Sequence, residues 1–337
     1  MLFPRVGRNQ TGMRIAWWGL VAFLCLGILI HLFPFYFMII TSFKAGAEVL
    51  AFPPTFWPQD VTTAAWELVF NISSGDLATL MPHPLWTYFR NSLLIAAGSL
   101  GIGIPITSLA AYANSKLQRG RGARWTFIFF IGTLMLPAAL TLIPAFLLTR
   151  NFPFALPEAP LMPGSDEPFP TIRIWNTLWA VILPGVFSAF NFLLFKGFFD
   201  TIPDSVIQAA RVDGGSEFNI FRRIVLPMSV PVYAVAIWTW FSGVWDSFLW
   251  PLVVIQDPEK VPASVAIYQL MDRFTSAGAT NAQQAAGQSQ QLQEILEAGL
   301  SWNGLMVLGL LQTLPVFILF IVCREYLLRG IRIRGLK

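Results

Sequence analysis

Residues 208–231 read Gln-Ala-Ala-Arg-Val-Asp-Gly-Gly-Ser-Glu-Phe-Asn-Ile-Phe-Arg-Arg-Ile-Val-Leu-Pro-Met-Ser-Val-Pro, a polar stretch that turns apolar as it ends. Its first residues complete a helix over 204–212. Asp204 or Ser205 is placed to cap that helix, and Val206, Ala209, Ala210 and Val212 give it a small apolar face. Asp213-Gly214-Gly215 is a turn signal, because glycine takes a positive φ without Cβ strain. Ser216 is placed to cap a second helix with Phe218, Phe221, Ile224 and Val225 on one side. Pro227 starts the next apolar run or kinks the approach to it. The pattern predicts a helix–turn–helix over 200–228 whose small residues let another protein come close.

Long apolar runs lie on either side. The chain of 337 residues is 55% hydrophobic and 12% charged, with a mean hydropathy of +0.61. That charged fraction is about half the level of a soluble domain. Lipid, not water, is the solvent such a chain needs. A helix crosses the hydrocarbon with about twenty apolar residues. Six runs meet that length: 15–41, 88–113, 125–149, 176–199, 229–253 and 302–323. No strand alternation suggests a barrel, so closed helical hydrogen bonding is the expected solution. The fold class read here is all-α integral membrane, with six transmembrane helices. Pro34, Pro105, Pro137, Pro144, Pro184 and Pro315 fall inside the spans. Each marks either a functional break or a packing irregularity.

Lys and Arg set the orientation. With the N-terminus inside, segments 1–14, 114–124, 196–228 and 324–337 carry 16 of the 22 basic residues. Both termini are therefore expected in the cytoplasm, with 15–337 forming a single transmembrane domain. Arg5, Arg8 and Arg14 before an apolar run resemble a signal peptide. The run from Ile15 to Ile40 is too long for one, and no small-residue cleavage site follows it. Outside, residues 62–70 suit a short interfacial helix with Trp66, Leu68 and Phe70. Segment 150–175 reads as a proline-rich loop, and 274–298 as a mobile insertion or a polar helix.

The chemistry of a site is sparse. Cys25 and Cys323 are the only cysteines, and His31 and His83 form no cluster with acids, so neither a disulfide framework nor a metal site is expected. No Gly-x-x-x-x-Gly-Lys-Ser/Thr loop occurs, so ATP is not bound here by that route. A proton relay needs acids or histidines within the spans. Only His31 and Asp246 are present, and His31 is read as a packed or interfacial residue. Asp246 either faces a solute route or is wetted at the outer surface. Small polar ligands bind through aromatic faces and convergent polar groups. Asn191, Tyr233, Trp238, Trp245 and Asp246 are the candidates, and packing or interfacial anchoring accounts for each singly. Trp238 and Trp245 are seven residues apart, hence on a similar helix face.

The 208–231 stretch resembles the "EAA" loop of ABC-importer permeases: Glu-Ala-Ala, Gly after three residues, then Ile-x-Leu-Pro after nine more. Ala209, Ala210, Gly214, Ile224, Leu226 and Pro227 match at that spacing, and Asp213 and Phe221 match the wider pattern. Gln208 departs from it, since glutamine hydrogen-bonds but cannot ion-pair. Thr41-Ser42-Phe43-Lys44, Asn91-Ser92-Leu93-Leu94, Trp245-Asp246-Ser247-Phe248-Leu249-Trp250-Pro251 and Tyr326-Leu327-Leu328-Arg329-Gly330 resemble carbohydrate permeases of the maltose-transporter class. The resemblance implies a type I importer permease fold and alternating access. It implies partners: a second homologous permease, two ATPase subunits that bind ATP and Mg, and an extracytoplasmic solute-binding protein. The solute would be a carbohydrate, or else a polyol, an osmolyte glycoside or glycerol phosphate. No nucleic acid and no cofactor on this chain are implied, and the place is the bacterial inner membrane. A membrane-embedded enzyme or a receptor is the alternative of another class. No clustered catalytic residues support an enzyme.

Overall fold

In the computed structural model, residues 11–49, 51–73, 81–118, 120–156, 158–162, 168–278 and 301–330 are described. Residues 1–10, most of the 274–298 segment and the basic tail 331–337 lie outside them. Every regular element among the described residues is a helix, with only isolated bridges such as Phe152–Ile172. The helices are α1 (Thr11–Ser42), α2 (Gly46–Val49), α3 (Ala64–Phe70), α4 (Leu85–Tyr112), α5 (Arg121–Leu134), α6 (Ala138–Arg150), α7 (Leu178–Ile182) and α8 (Ala189–Asp200). They continue with α9 (Asp204–Val212), α10 (Glu217–Met228), α11 (Val230–Trp245), α12 (Leu249–Val254), α13 (Ala263–Gly278) and α14 (Trp302–Gly330).

Among the described residues, three helices alone are long and apolar enough to cross a membrane: Thr11–Ser42, Leu85–Leu117 and Trp302–Leu327. The other apolar lengths are bent pairs. α7 with its 3₁₀ turn meets α8 at 42°, α10 meets α11 at 82°, and α5 and α6 form the third pair. Three spans result, or six if each bent pair counts as one. The sequence reading treated the α5–α6 and α7–α8 runs as continuous and put α10 in the loop before a span at 229–253, and local chemistry explains the breaks. Pro137 occupies the N-cap of α6, and the residue before a proline is pushed out of the helical region. Pro184 interrupts the hydrogen-bond ladder after α7, and Ser188 restarts it by accepting the Asn191 amide. Predicted span 229–253 stops at Trp245 and restarts at Leu249, and the freed Ser247 carbonyl accepts Ser264 Oγ at 2.7 Å. Pro34, Pro105, Pro144 and Pro315, by contrast, stay inside helices.

The chain folds into two compact units, Met1–Ile72 with Ser276–Leu311 and Ser73–Thr275 with Gln312–Lys337. In the first, the end of α1 is tied down by polar groups. Lys44 is buried and donates to the Thr55 carbonyl, while Asn303 Nδ2 donates to the Lys44 carbonyl at 3.0 Å. Glu48 accepts Thr55 Oγ1 at 2.5 Å and the Gln59 amide, and these bonds, Thr55 first, hold its carboxyl below the ordinary range. α3 forms within the predicted 62–70 segment but buries Ala65 and Val69, leaving Phe70 exposed. Along α1 the apolar side chains of Ile15, Phe23 and Leu29 are exposed, as a lipid-facing helix requires.

In the second unit α4 is the post on which α7, α8 and α11 pack. Within lipid, such association comes from close van der Waals fit rather than from expelled water. Two glycines supply the fit. A Cβ on Gly98 would meet Ile182 at 2.8 Å, and one on Gly103 would enter the Trp240 indole and reach the Val186 carbonyl at 3.0 Å. Phe192, Phe195 and Phe199 line up on one face of α8, fully buried. At the start of α4, Asn91 Nδ2 donates to the carbonyls of Glu259 (2.7 Å) and Val261 (3.1 Å), and Ser92 Oγ accepts the Ala263 amide. Asn176, at φ 59°, accepts the amides of Gln256 and Asp257, both at 2.9 Å. The strap 254–263 is thereby latched on both sides.

Gly103→Val should lower the thermal stability of the purified chain by about 1–3 kcal/mol, through overpacking against Trp240. Gly101→Ala, where nothing lies within 4 Å of the added methyl, should be neutral or slightly stabilising. Equal melting temperatures for Gly103→Val and the parent in detergent would refute the close fit.

Candidate functional site: the loop 200–228

The loop's geometry follows from its turn. α9 ends in a Schellman arrangement: the Gly215 amide bonds Ala210 O at 2.9 Å and the Gly214 amide bonds Arg211 O at 3.0 Å. Gly214 sits at φ 82°, in the left-handed region that favours glycine. Gly215 is required for a different reason, since a Cβ there would lie 2.8 Å from the Ala210 carbonyl. The helix–turn–helix read from the sequence is present, with α9 over Asp204–Val212.

Its caps and faces differ from the expectation. Pro203 holds the N-cap of α9 and makes no side-chain cap, while Asp204 lies within the first turn and binds Lys116. Ser216 holds the N-cap position of α10, again without a side-chain cap bond. Ile207, outside the apolar face read from the sequence, is the residue α9 buries. Val212 follows it by five residues, or about 140° around the helix, and is 87% exposed. Phe218 is 62% exposed, whereas Phe221 and Val225 are buried. The loop thus has two sides. Gln208, Ala209, Val212, Asp213, Gly214 and Phe218 face outward. Ile207, Ile220, Phe221 and Val225 face the core, where Tyr112 packs on Phe221 at 5.3 Å and on Phe199 at 6.4 Å. Ile224 is half-buried, and Leu226 and Pro227 are exposed in the segment that leads to α11. Pro227 neither starts the next span nor breaks the helix. The 82° bend comes after Met228, at buried Ser229, whose Oγ donates to Val225 O at 2.6 Å.

The inward side carries polar contacts that sequence reasoning did not find. Arg211 Nε donates to Glu217 Oε1 at 2.6 Å, and Tyr112 OH donates to Glu217 Oε2 at 2.8 Å. The Arg211 bond is the main cause holding the Glu217 carboxyl below its ordinary value, so it stays charged at neutral pH. Lys116, buried in the π turn Ala113–Leu117 that continues α4, donates to Ile202 O and Asp204 Oδ1, both at 2.7 Å. Ser115 Oγ reaches Asp200 at 2.6 Å. Tyr112 and Lys116 lie about a hundred residues before the loop, and no spacing pattern links them to it. The pairing of Arg211 and Glu217 across six residues was the only part within reach of a local reading.

None of the five candidates for a solute route lines the main cleft of this unit. Asn191 is buried, bonding Ser188 Oγ at 3.0 Å and facing Thr239 Oγ1 at 3.4 Å. Tyr233 packs on Phe195 at 4.7 Å. Trp238 and Trp245 do share a face, and that face packs on α14. Trp238 meets Phe320 at 5.9 Å, while Trp245 Nε1 donates to Gln312 O at 2.8 Å and Gln312 Nε2 returns a bond to Trp245 O at 3.2 Å. Asp246 is exposed. A cleft of about 510 Å³ lies instead between α6, the Pro184-Gly185 turn and the α11–α12 break, with Ser99, Thr141, Ser247 and Trp250 in its wall.

These features have counterparts in known proteins. The family described as binding-protein-dependent transport system inner membrane component matches residues 103–333. The inner membrane ABC transporter permease protein YcjP of Escherichia coli (strain K12) is 25% identical over 95% of this chain and 96% of its own length. The arabinooligosaccharides transport system permease protein AraQ of Halalkalibacterium halodurans is 22% identical over 98% and 99%. The sn-glycerol-3-phosphate transport system permease protein UgpE of Escherichia coli O1:K1 is 27% identical over 91% and 93%. A chain of a bacterial ABC transporter involved in the import of the acidic polysaccharide alginate superposes with a TM-score of 0.69 at 22% identity, covering 95% of this chain and 99% of that one. That likeness carries the fold, the helical architecture of type I importer permeases. The chain belongs to the binding-protein-dependent transport system inner membrane component family, and is a multi-pass permease subunit of an ABC importer whose ATPase resides on a partner chain.

Proposed function

We propose that this chain carries a neutral carbohydrate, an oligosaccharide or disaccharide, across the inner membrane by alternating access. In this reading α5 with α6, α7 with α8 and α11 with α12 each serve as one span, giving six with α1, α4 and α14 and leaving α10 in the cytoplasmic loop, with both termini in the cytoplasm as the Lys and Arg bias requires. Residues 1–14 form the cytoplasmic start and 15–337 one permease domain. A second homologous permease pairs with it, and a binding protein delivers the solute from outside. Two ATPase subunits, which hold the ATP and Mg, close against the 200–228 loop.

The observation that carries the coupling role is the outward side of that loop. Val212 and Phe218 are 87% and 62% exposed on a segment outside the membrane, beside the small residues Ala209 and Gly214. A water-facing apolar patch of that kind is what a partner's groove covers. Gln208 would hydrogen-bond there without an ion pair. On the core side, Phe221 and Ile224 seat the loop, and Ala210 and Asp213 shape its turn. Leu226 and Pro227 lead it into α11. Asn191, Tyr233, Trp238, Trp245 and Asp246 remain the proposed route, reached when the α11–α14 contact opens in another state.

The relatives AraQ and UgpE name an arabinooligosaccharide and sn-glycerol 3-phosphate system, at 22% and 27% identity. The higher identity to UgpE favours glycerol phosphate as the second reading. Phosphate recognition calls for Arg or Lys in the cavity. Among the described residues the buried cations are Lys44 and Lys116, at span ends, which supports a neutral solute.

Gly214→Asp should insert normally in the membrane but fail to co-purify with the ATPase, and uptake should be abolished. Wild-type uptake by that variant would remove the coupling role. With the purified complex and its binding protein, arabinotriose should stimulate ATP hydrolysis and glycerol 3-phosphate should not. The reverse result would replace the carbohydrate reading with the second one.

A further inference from the structure

We infer that Glu217 is a mechanical joint that fastens the coupling loop to the cytoplasmic end of α4, so that α4 moves with the loop. The inference rests on the coupling role proposed above and adds where the motion goes. One carboxylate ties three helices together. Its Oε1 accepts Arg211 Nε of α9 at 2.6 Å, its Oε2 accepts Tyr112 OH of α4 at 2.8 Å, and the carboxylate itself stands at the start of α10. Each oxygen has its own donor, so neither partner can shift without the other. Lys116, one turn beyond Tyr112, adds a second anchor through Ile202 O and Asp204. Arg211 Nη2 also approaches Lys116 O at 3.4 Å, closing the ring of contacts between α4 and α9. The Tyr112 ring is clamped against Phe221 and Phe199 and has little freedom to follow the loop by rotating alone.

The arrangement is suited to transmission rather than to stability. The Arg211 and Glu217 side chains are 33% and 41% exposed, and ion pairs so placed add little to folding free energy. Loss of the joint should therefore leave the fold intact. None of Tyr112, Lys116 or Glu217 lies on the outward side that would meet an ATPase. Loss should leave docking intact as well. What it should remove is the obligation of α4 to follow α9.

The test uses the complete transporter, with its partner permease, ATPase subunits and binding protein, in proteoliposomes. Cys25 and Cys323 are replaced by serine, and Trp86→Cys, at the exposed outer end of α4, provides one reporter thiol. Its modification by a membrane-impermeant maleimide is timed before and after trapping with ATP and orthovanadate. Trapping should change the rate several-fold in the otherwise native transporter. Tyr112→Phe and Glu217→Gln should each assemble and trap nucleotide as before, yet lose that change. The double variant should be no worse than Glu217→Gln, because both act through one carboxylate. The joint is overturned if the variants keep the native rate change, or if trapping moves no reporter even without them. It is also overturned if assembly and trapping fall in step with the rate change, which would make Glu217 a structural brace. Should Gly214→Asp still assemble and import, the coupling role itself fails. Should Gly214→Asp fail as expected while Tyr112→Phe behaves as native, only the joint is lost.

Discussion

In hydrocarbon an unpaired backbone N–H or C=O has no water to turn to, and each costs several kcal/mol. This constraint makes the chain helical among its described residues and dictates where helices are allowed to stop. Each interruption is found where something else takes over the freed groups. Ser188 recaptures the ladder after Pro184, and Ser264 takes the carbonyl freed after Trp245. Ser229 closes the bend between α10 and α11 by bonding back to Val225. At these three breaks a serine hydroxyl does the work that the interrupted ladder no longer does.

Helix association obeys a related economy. Without a hydrophobic drive between helices, contact depends on close fit, and α4 achieves it by omitting side chains at Gly98 and Gly103. The cytoplasmic end of α4 then meets an aromatic stack of Phe199, Phe221 and Tyr112. On that base the 200–228 loop is held by charge-assisted hydrogen bonds, which are short and directional. Apolar packing gives the loop its seat, and Lys116, Arg211 and Glu217 give it an orientation.

The indoles of α11 follow the same logic. Aromatic residues on a transporter span invite assignment to a sugar site. Here Trp238 and Trp245 pack on α14, and Trp245 exchanges hydrogen bonds with Gln312. A buried indole N–H needs an acceptor, and the Gln312 carbonyl supplies it. Their shared face is a helix interface in this conformation, and a change of state is needed before they meet a solute.

The amino-acid sequence by itself determined the solvent, the helical class and the position of the 200–228 loop. Composition, run length and the Asp213-Gly214-Gly215 turn are local properties, and local properties survive in a linear reading. Gly214 was legible because its positive φ belongs to the turn itself. Tertiary structure decided which side of α9 is buried, since Ile207 rather than Val212 meets the core, and a nine-residue helix offers both choices. It also decided that Asn91 and Ser92 latch the 254–263 strap, and that Tyr112 and Lys116 grip a loop about a hundred residues away. Such contacts depend on how helices stack, and no spacing within the chain encodes them.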